Sequence, residues 1–461
     1  MVYKKQMWVV LIISLLLLYS CNNTTDPQDD NSTNDYSRIL EQKRDSLFQE
    51  YTLFKSRKSH PTLIDLSLDS LEISYSNVLK IINNNCVACH SPSGNAPFSL
   101  LSYTDLVKRK GVIQEVLSRK IMPPWMADKS YKNFFNEPAI SDEERALIYN
   151  WLEMGATIDK KEVLSYPEHS SLKLDLPDLI IQPTKKHIIT TNDDSYECIV
   201  YDPKLKEDIF VSGIDFKSDN PEVIHHLMLY LDVNNILEDD GSWDCKNDGL
   251  VNKLIPIQSW SKGMRPFELA SGLGYRVPKG AKFLLQAHYG DENNKGREVS
   301  TTLKLHYADS LKEEVAFEVI NKFDIKYPKD SIMMETLSYK VEDTISVLGL
   351  LPHTHFLTKK IEIFAVNEDT KEIIKLLKIP DWDYLWQGQY INTLPVIIPK
   401  GSTIYCNVVI DNTADNPTQP NSPVRDVFYN TNSSDEMLVL VLLTKPYKEG
   451  DSQLQVAKFL K

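Results

Sequence analysis

Five histidines and one methionine in the second half of this 461-residue chain have the types and spacing to hold two metal ions. They stand in His225-His226-Leu-Met, Gln286-Ala-His288-Tyr-Gly, Pro352-His353-Thr-His355 and Ser434-Asp435-Glu436-Met437. His353 and His355 are two apart in an extended segment, so they point to one face. Two imidazoles joined by the soft Met437 thioether suit a copper ion cycling between Cu(I) and Cu(II), with a position left for dioxygen. His225 and His226 are adjacent, and adjacent strand residues face opposite ways. They can share a metal only at a bend or strand end, which Asn220-Pro221 makes plausible; His288 is then the third ligand. Taken alone, a pair of histidines is more often structural than ligating, so order and context must decide.

Upstream, Cys86-Val-Ala-Cys89-His90 has the attachment pattern of a covalently bound haem c. The two thiols would add to the porphyrin vinyl groups, and His90 would be an axial iron ligand. The competing reading is a disulfide or zinc pair beside an unrelated histidine, which the helical frame and an export signal argue against. Lys120-Ile-Met122-Pro-Pro-Trp125-Met126 offers two candidates for the other axial ligand, Met122 and Met126. The two prolines stiffen the loop after Met122. The stretch resembles the Met-Pro-Pro turn of many small bacterial cytochromes c, which favours Met122. A thioether ligand stabilises ferrous iron and raises the potential.

The elements that position these groups fall into two textures. Residues 35–58 have helical spacing of apolar positions, read as a helix packed on the next domain. Residues 74–160 read as a helical unit: a helix over 77–84, an amphipathic segment over 105–120, and a third helix from the capping box Ser141-Asp-Glu-Glu144 to Gly155. From about Leu172, β-branched and aromatic runs alternate with Asn, Asp, Gly and Pro clusters, predicting antiparallel strands at 209–214, 226–231, 283–289, 346–351, 360–366, 403–410 and 437–443. About 290 residues of this kind is too much for one simple sandwich. The expected fold is multidomain: a small all-α cytochrome c domain over 71–165, then two tandem antiparallel β-sandwich (jelly-roll-like) copper domains over 172–310 and 311–461.

The N-terminus predicts export. Lys4 and Lys5 precede an apolar run from Met7 to Leu18, too short for an ordinary membrane span of about 20 residues. It ends in Leu18-Tyr-Ser-Cys21, a lipobox-like sequence, which makes 1–21 a lipoprotein signal peptide with Cys21 lipid-modified. A plain signal peptide with a chance cysteine is the other possibility. Residues 22–70 are read as polar tether and helix. The expected location is the bacterial cell envelope, lipid-anchored to a membrane. Lys and Arg total 51 against 64 Asp and Glu, a formal charge of −13, which gives no reason to bind nucleic acid. Of six cysteines, Cys198, Cys245 and Cys406 remain once the lipid and haem positions are set aside. An odd remainder in an exported chain implies one disulfide and one free thiol.

From Ser195 to Asp291, and again around His353 and Met437, the chain resembles the copper type II, ascorbate-dependent monooxygenases, the family of peptidylglycine α-hydroxylating and dopamine β-monooxygenases. The stretches that carry the likeness are Tyr196-Glu-Cys198, Ile214-Asp-Phe-Lys, His225-His226-Leu-Met-Leu, Trp243-Asp-Cys245, Gly274-Tyr-Arg-Val, Leu285-Gln-Ala-His288-Tyr-Gly-Asp, His353-Thr-His355 and Ser434-Asp-Glu-Met437, in family order. The resemblance implies two β-sandwiches facing each other across a solvent-filled cleft. It assigns His225, His226 and His288 to an electron-transfer copper and His353, His355 and Met437 to the copper that activates oxygen. It pairs Cys198 with Cys245. Cys406 matches a disulfide position whose partner is Leu438 here, so Cys406 is expected unpaired and buried.

Two departures bear on substrate. The arginine that clamps a peptide carboxylate in the amidating enzymes is replaced by Leu351, and a tyrosine four residues after the methionine by Val441. A buried carboxylate would lack a partner there, which favours a small, uncharged organic substrate. Trp382-Asp-Tyr384-Leu-Trp386 either lines the pocket or packs in a core. The sequence thus implies a monooxygenase that uses O2 to hydroxylate a C–H bond, with two copper ions and one haem c. Its electron donor would be an ascorbate-like reductant or redox protein, and electrons would enter through the haem and pass to the His225, His226 and His288 copper. A copper-binding protein, or a haem/copper electron relay without hydroxylase activity, is the alternative.

Overall fold

The computed structural model describes residues 30–56, 73–158 and 176–459, apart from 88, 92–95, 97, 138–139, 193–194, 239–240, 246–249, 262–263, 265, 271, 291–293, 309–312 and 385. The signal segment, Cys21 and the tether up to residue 29 lie outside the described residues, as does the 310/311 boundary. Contacts divide the chain into two units, 1–46 and 47–461. No helix among the described residues is long and apolar enough to cross a membrane.

Among the described residues, five helices precede the strands. Asp30–Ser56 is one helix, and its Leu47 and Tyr51 are buried against Val409. Tyr75–Asn85 starts at Ser74, whose hydroxyl accepts from the Asn77 amide. The expected 105–120 helix is two, Tyr103–Lys108 and Lys110–Ser118, because the backbone leaves helical geometry at Arg109. Asp142–Glu153 has the expected capping box between Ser141 and Glu144 and stops before Gly155, whose φ of 91° is left-handed. Tyr75 stacks on Trp151 at 5.4 Å, at the centre of an apolar core shared by these helices from Tyr75 onward.

The strands form two sandwiches. In the first, a five-stranded antiparallel sheet runs in the order Ser242–Asp244, Ser195–Tyr201, Lys282–Tyr289, Ile224–Asp232, Ile255–Ser261. Alternation along Ser195–Tyr201 sends Ile199 and Tyr201 into the inter-sheet core. Cys198 and Val200 face the other side, where Cys198 and Cys245 form a disulfide. The opposing sheet includes Ile209–Ser218 and Thr301–Tyr307. The C-terminal strand Ala457–Phe459 also pairs there, with Phe267–Leu269. The strand Ala457–Phe459 thus joins a sheet of the first sandwich, although the strands before it belong to the second.

The second sandwich packs the sheet Ala316–Asn321, Leu438–Pro446, Ile345–Thr354, Tyr390–Ile398 against Ser331–Lys340, Ser402–Asn412, Thr358–Asn367, Ile373–Ile379. Its strand Leu438–Pro446 explains how the two sandwiches meet. Leu438, Leu440 and Leu442 enter the second core. Val439, Val441 and Leu443 enter the first. This strand has no wet face, which is why its sequence is a continuous apolar run rather than an alternating one.

Candidate metal centres

The first histidine triad rests on one backbone irregularity. In the antiparallel pair, His288 lies opposite His226, while Tyr289 lies opposite Ile224. His225 is therefore the extra residue of a β-bulge, just after the turn Pro221–Val223. A bulge re-aims the side chain that a regular pleat would send to the far face. His225 Nδ1 lies 3.1 Å from His226 Nδ1, and His288 Nδ1 lies 3.4 Å from it. Two nitrogens bound to one ion at about 2.0 Å are about 3.3 Å apart at a tetrahedral angle. The spacing fits three ligands of a single ion, and the three ligand atoms converge within 4.8 Å. Burial, and then the neighbouring histidines, hold the His226 pKa well below the ordinary value, so it presents a neutral ring with a lone pair.

The second group follows from strand register. His353 lies opposite Val439, and cross-strand partners share a face. Val439 faces the first sandwich, so His353 does too. The strand ends at Thr354, with His355 just beyond. The rings of His353 and His355 are 5.3 Å apart and nearly perpendicular. His353 Nδ1 donates to the Gln387 side-chain oxygen, and His355 Nδ1 donates to the Asp435 carbonyl at 3.1 Å. Each ring then directs Nε2 away from its hydrogen bond, the arrangement that fixes a metal-binding imidazole. Burial lowers the His353 pKa to about 4. Met437 directly precedes the Leu438–Pro446 strand and packs against the core of the first sandwich.

Sequence reasoning missed Glu436. Its fully buried carboxylate accepts the amides of His355, Leu357 and Met437, the last two at 3.0 Å each. One side chain thereby fastens the His-Thr-His strand end to the methionine loop. The local signal was an acidic pair, Asp435-Glu436, just before an apolar strand. Gln387, which orients His353, had no comparable signal.

Among the described residues, no solvent-filled cleft of the expected kind separates the histidines. The His226 and His353 rings are 5.4 Å apart, and Tyr384 stacks on His225 at 4.5 Å. Tyr196 on the first sandwich donates to the Thr431 carbonyl at 3.2 Å. The cause is the shared apolar layer: Leu348, Leu351, Ile391, Val439, Val441 and Leu443 all join the first core. Leu351 and Val441, the two substrate-site departures, are cross-strand partners within this layer. Of the aromatic stretch, Trp382 and Trp386 pack in the second core, whereas Tyr384 lies over His225. Cys406 is buried with a free thiol.

In Cys86-Val-Ala-Cys89-His90, neither cysteine is in a disulfide, and both lie just after the helix Tyr75–Asn85. His90 Nδ1 donates to the Phe98 carbonyl at 3.0 Å, which leaves Nε2 as the lone-pair nitrogen. Burial lowers the His90 pKa, again favouring the neutral ring. Two thiols and an oriented neutral imidazole on one turn fit covalent haem. Arg145 donates to the Met122 carbonyl. Burial, and then Cys89, push the Cys86 thiol up to about 12, with Arg145 opposing them. Met126 packs against the second sandwich, while Met122 stays exposed.

No protein-family model matches the chain. It is 31% identical over 108 residues to peptidyl-glycine alpha-amidating monooxygenase A of Xenopus laevis, covering 23% of this chain and 11% of that protein. It is 31% identical over 123 residues to the peptidylglycine alpha-amidating monooxygenase of Rattus norvegicus, covering 26% of this chain and 12% of that one. For the Mus musculus protein the figures are 30% over 208 residues, 42% and 20%. The chain thus spans a fifth or less of the length of these relatives. Among solved structures, the major capsid protein P2 of bacteriophage PM2 overlaps 59% of this chain and 99% of its own at a TM-score of 0.29 and 11% identity, too weak a likeness to bear on function.

Proposed function

We propose that the protein is a copper-dependent monooxygenase that hydroxylates a C–H bond of a small, uncharged organic substrate with O2, drawing electrons through its own covalent haem c. The observation that carries this reading is the convergence of His225, His226 and His288 on the spacing of a single ion. It is supported by the second His, His, Met set and by the similarity to monooxygenases. Copper would supply one-electron redox and oxygen activation, and haem an inlet for electrons. His225, His226 and His288 would hold one copper; His353, His355 and Met437 would hold the other. Gln387 and the Asp435 carbonyl fix two of these rings, and Glu436 fixes the loop that brings Met437. Cys86 and Cys89 would attach the haem, with His90 and Met122 as axial ligands. Leu351 and Val441 offer a carboxylate no partner, which directs the site to neutral substrates. The donor would be an ascorbate-like reductant or redox protein, and the chain would sit in a bacterial cell envelope, anchored by lipid on Cys21.

A haem/copper relay or copper-binding protein without hydroxylase activity is favoured by one observation: Leu351 and Val441 are packed between the sandwiches rather than lining open space. One experiment separates the two. Reduced, copper-loaded protein is mixed with labelled O2 and a panel of neutral substrates, following the haem α-band and product mass. Fast reoxidation with labelled product, both lost in Met437→Ala, is the expected result. Equal reoxidation in both proteins and no labelled product would sink the monooxygenase reading.

A further inference from the structure

The segment after Met122 is stitched to the second sandwich. The Asp128 amide donates to the Lys378 carbonyl at 2.8 Å, and the Phe135 amide to the Ile391 carbonyl at 2.7 Å. Asn136 and Ile391 close a further bond at 3.0 Å. This docking carries Trp125, three residues from Met122, into an aromatic cluster of the second sandwich. The Trp125 ring lies 5.9 Å from Trp386 and 5.1 Å from Tyr390. Trp386 and Tyr390 are 5.8 Å apart. Gly388 leaves room for the Trp386 indole, which any Cβ at 388 would strike. Gln387, between Trp386 and Gly388, accepts from His353 Nδ1, and the His353 ring lies 5.4 Å from His226.

Packing alone does not account for these residue types. Trp125 Nε1, Trp386 Nε1 and the Tyr390 hydroxyl are all buried without a hydrogen-bond partner among the described residues. Phenylalanine or leucine would fill the space without that desolvation cost, so three such groups in contact call for a reason. Electron-rich rings in a dry contact chain supply one.

We propose that Trp125, Trp386 and Gln387 form an electron path from the Met122 loop to His353, so that electrons reach the His353, His355 and Met437 site first. This rests on the haem and copper reading above, and it departs from the expected order, in which the His225, His226 and His288 copper is reduced first. The step is a one-electron transfer: ferrous haem iron is oxidised to ferric, and one Cu(II) is reduced to Cu(I). The rings provide coupling and are not consumed. His226, in contact with His353, passes charge between the two sets.

The test is anaerobic and needs no turnover. Oxidised, copper-loaded full-length protein is mixed with a fast one-electron donor to the haem. Decay of the ferrous α-band is then followed together with loss of the Cu(II) electron-spin signal. Trp125→Leu and Trp386→Leu should slow that decay about tenfold or more, equivalent to about 1.4 kcal/mol of barrier. Trp125→Phe should restore most of the rate, and Phe134→Leu, which loosens the same cluster off the path, should leave it unchanged. If the Leu variants fail to fold, Trp125→Met fills similar space without a ring and reads the same way. Unchanged decay in ring-less variants that retain covalent haem and copper would overturn the path alone. A wild-type protein that holds no covalent haem would overturn the path together with the reading beneath it.

Discussion

Replacing Glu436 tests whether one buried carboxylate holds the second metal set together. In Glu436→Ala the amides of His355, Leu357 and Met437 lose their acceptor in a site sealed from water. Each buried, unsatisfied donor costs about 1–3 kcal/mol, so three cost about 3–9 kcal/mol. Water entering the vacated space would recover part of this, leaving about 3–5 kcal/mol. For the unit spanning 47–461, with about 2.1 cal/mol/K of unfolding entropy per residue, that lowers the melting temperature by roughly 5 °C. Glu436→Gln keeps one oxygen for His355 and Met437 but turns an amide nitrogen toward the Leu357 N–H, costing about 1–3 kcal/mol. Burial pushes the Glu436 carboxyl up to about 8, against its three amide donors and Lys359. The assay is thermal unfolding of copper-free protein beside a Cu(I) titration of the second site. The argument fails if Glu436→Ala unfolds within about 1 kcal/mol of wild type, or if Gln costs as much as Ala.

The buried histidines predict a pH dependence: an ordinary histidine is about three-quarters protonated at pH 6, whereas His353, near 4, and His226, also lowered, should stay neutral, as an NMR titration of copper-free protein would show. Because the unfolded chain binds protons there that the fold does not, His353 contributes stability that is fully present above about pH 6.5 and lost as pH falls toward about 4, measurable as the urea midpoint relative to His353→Gln. Cys198→Ala with Cys245→Ala opens a loop of 47 residues, with an expected loss of about 4 kcal/mol by chain entropy, read from denaturant unfolding. Lys445 is fully buried against Asp451, at 2.6 Å, and Glu313, so Lys445→Ala should cost about 3–5 kcal/mol by stranding the carboxylates, whereas Lys445→Ala with Asp451→Ala should recover part of that.

What was legible in the sequence follows from how local each signal is. The helix Asp142–Glu153 was legible because its capping box and its glycine stop lie within fifteen residues, and both act on the adjacent turn. The longer helical segment before it was misjudged because its apolar spacing runs on through the break at Arg109, where only backbone geometry changes. Strands such as Ser402–Asn412 were legible from β-branched and aromatic runs. Which sheet each strand joins is decided by pairing partners far along the chain. The strand Ala457–Phe459 is the clearest case, since nothing in three residues tells it to cross to the first sandwich.

The histidine sites divide in the same way. Residue types and order marked the histidines that the fold brings together, and Asn220-Pro221 marked the irregularity next to His225. The bulge itself exists only as a mismatch between two strands: one histidine faces one histidine, and the next partner skips a residue. The closed interface had a signal that went unread. A strand with one dry face alternates, whereas Leu438-Val-Leu-Val-Leu-Leu443 does not, so both its faces had to be covered. Val439 and Val441 then had to meet a second apolar layer. His353 and Leu351, opposite them, had to point into that layer as well. An open, solvent-filled cleft is incompatible with that run of residues, because it would leave the outward-facing half of the run in water. The adjacency of His353 and His226 is therefore a consequence of strand composition as much as of ligand chemistry.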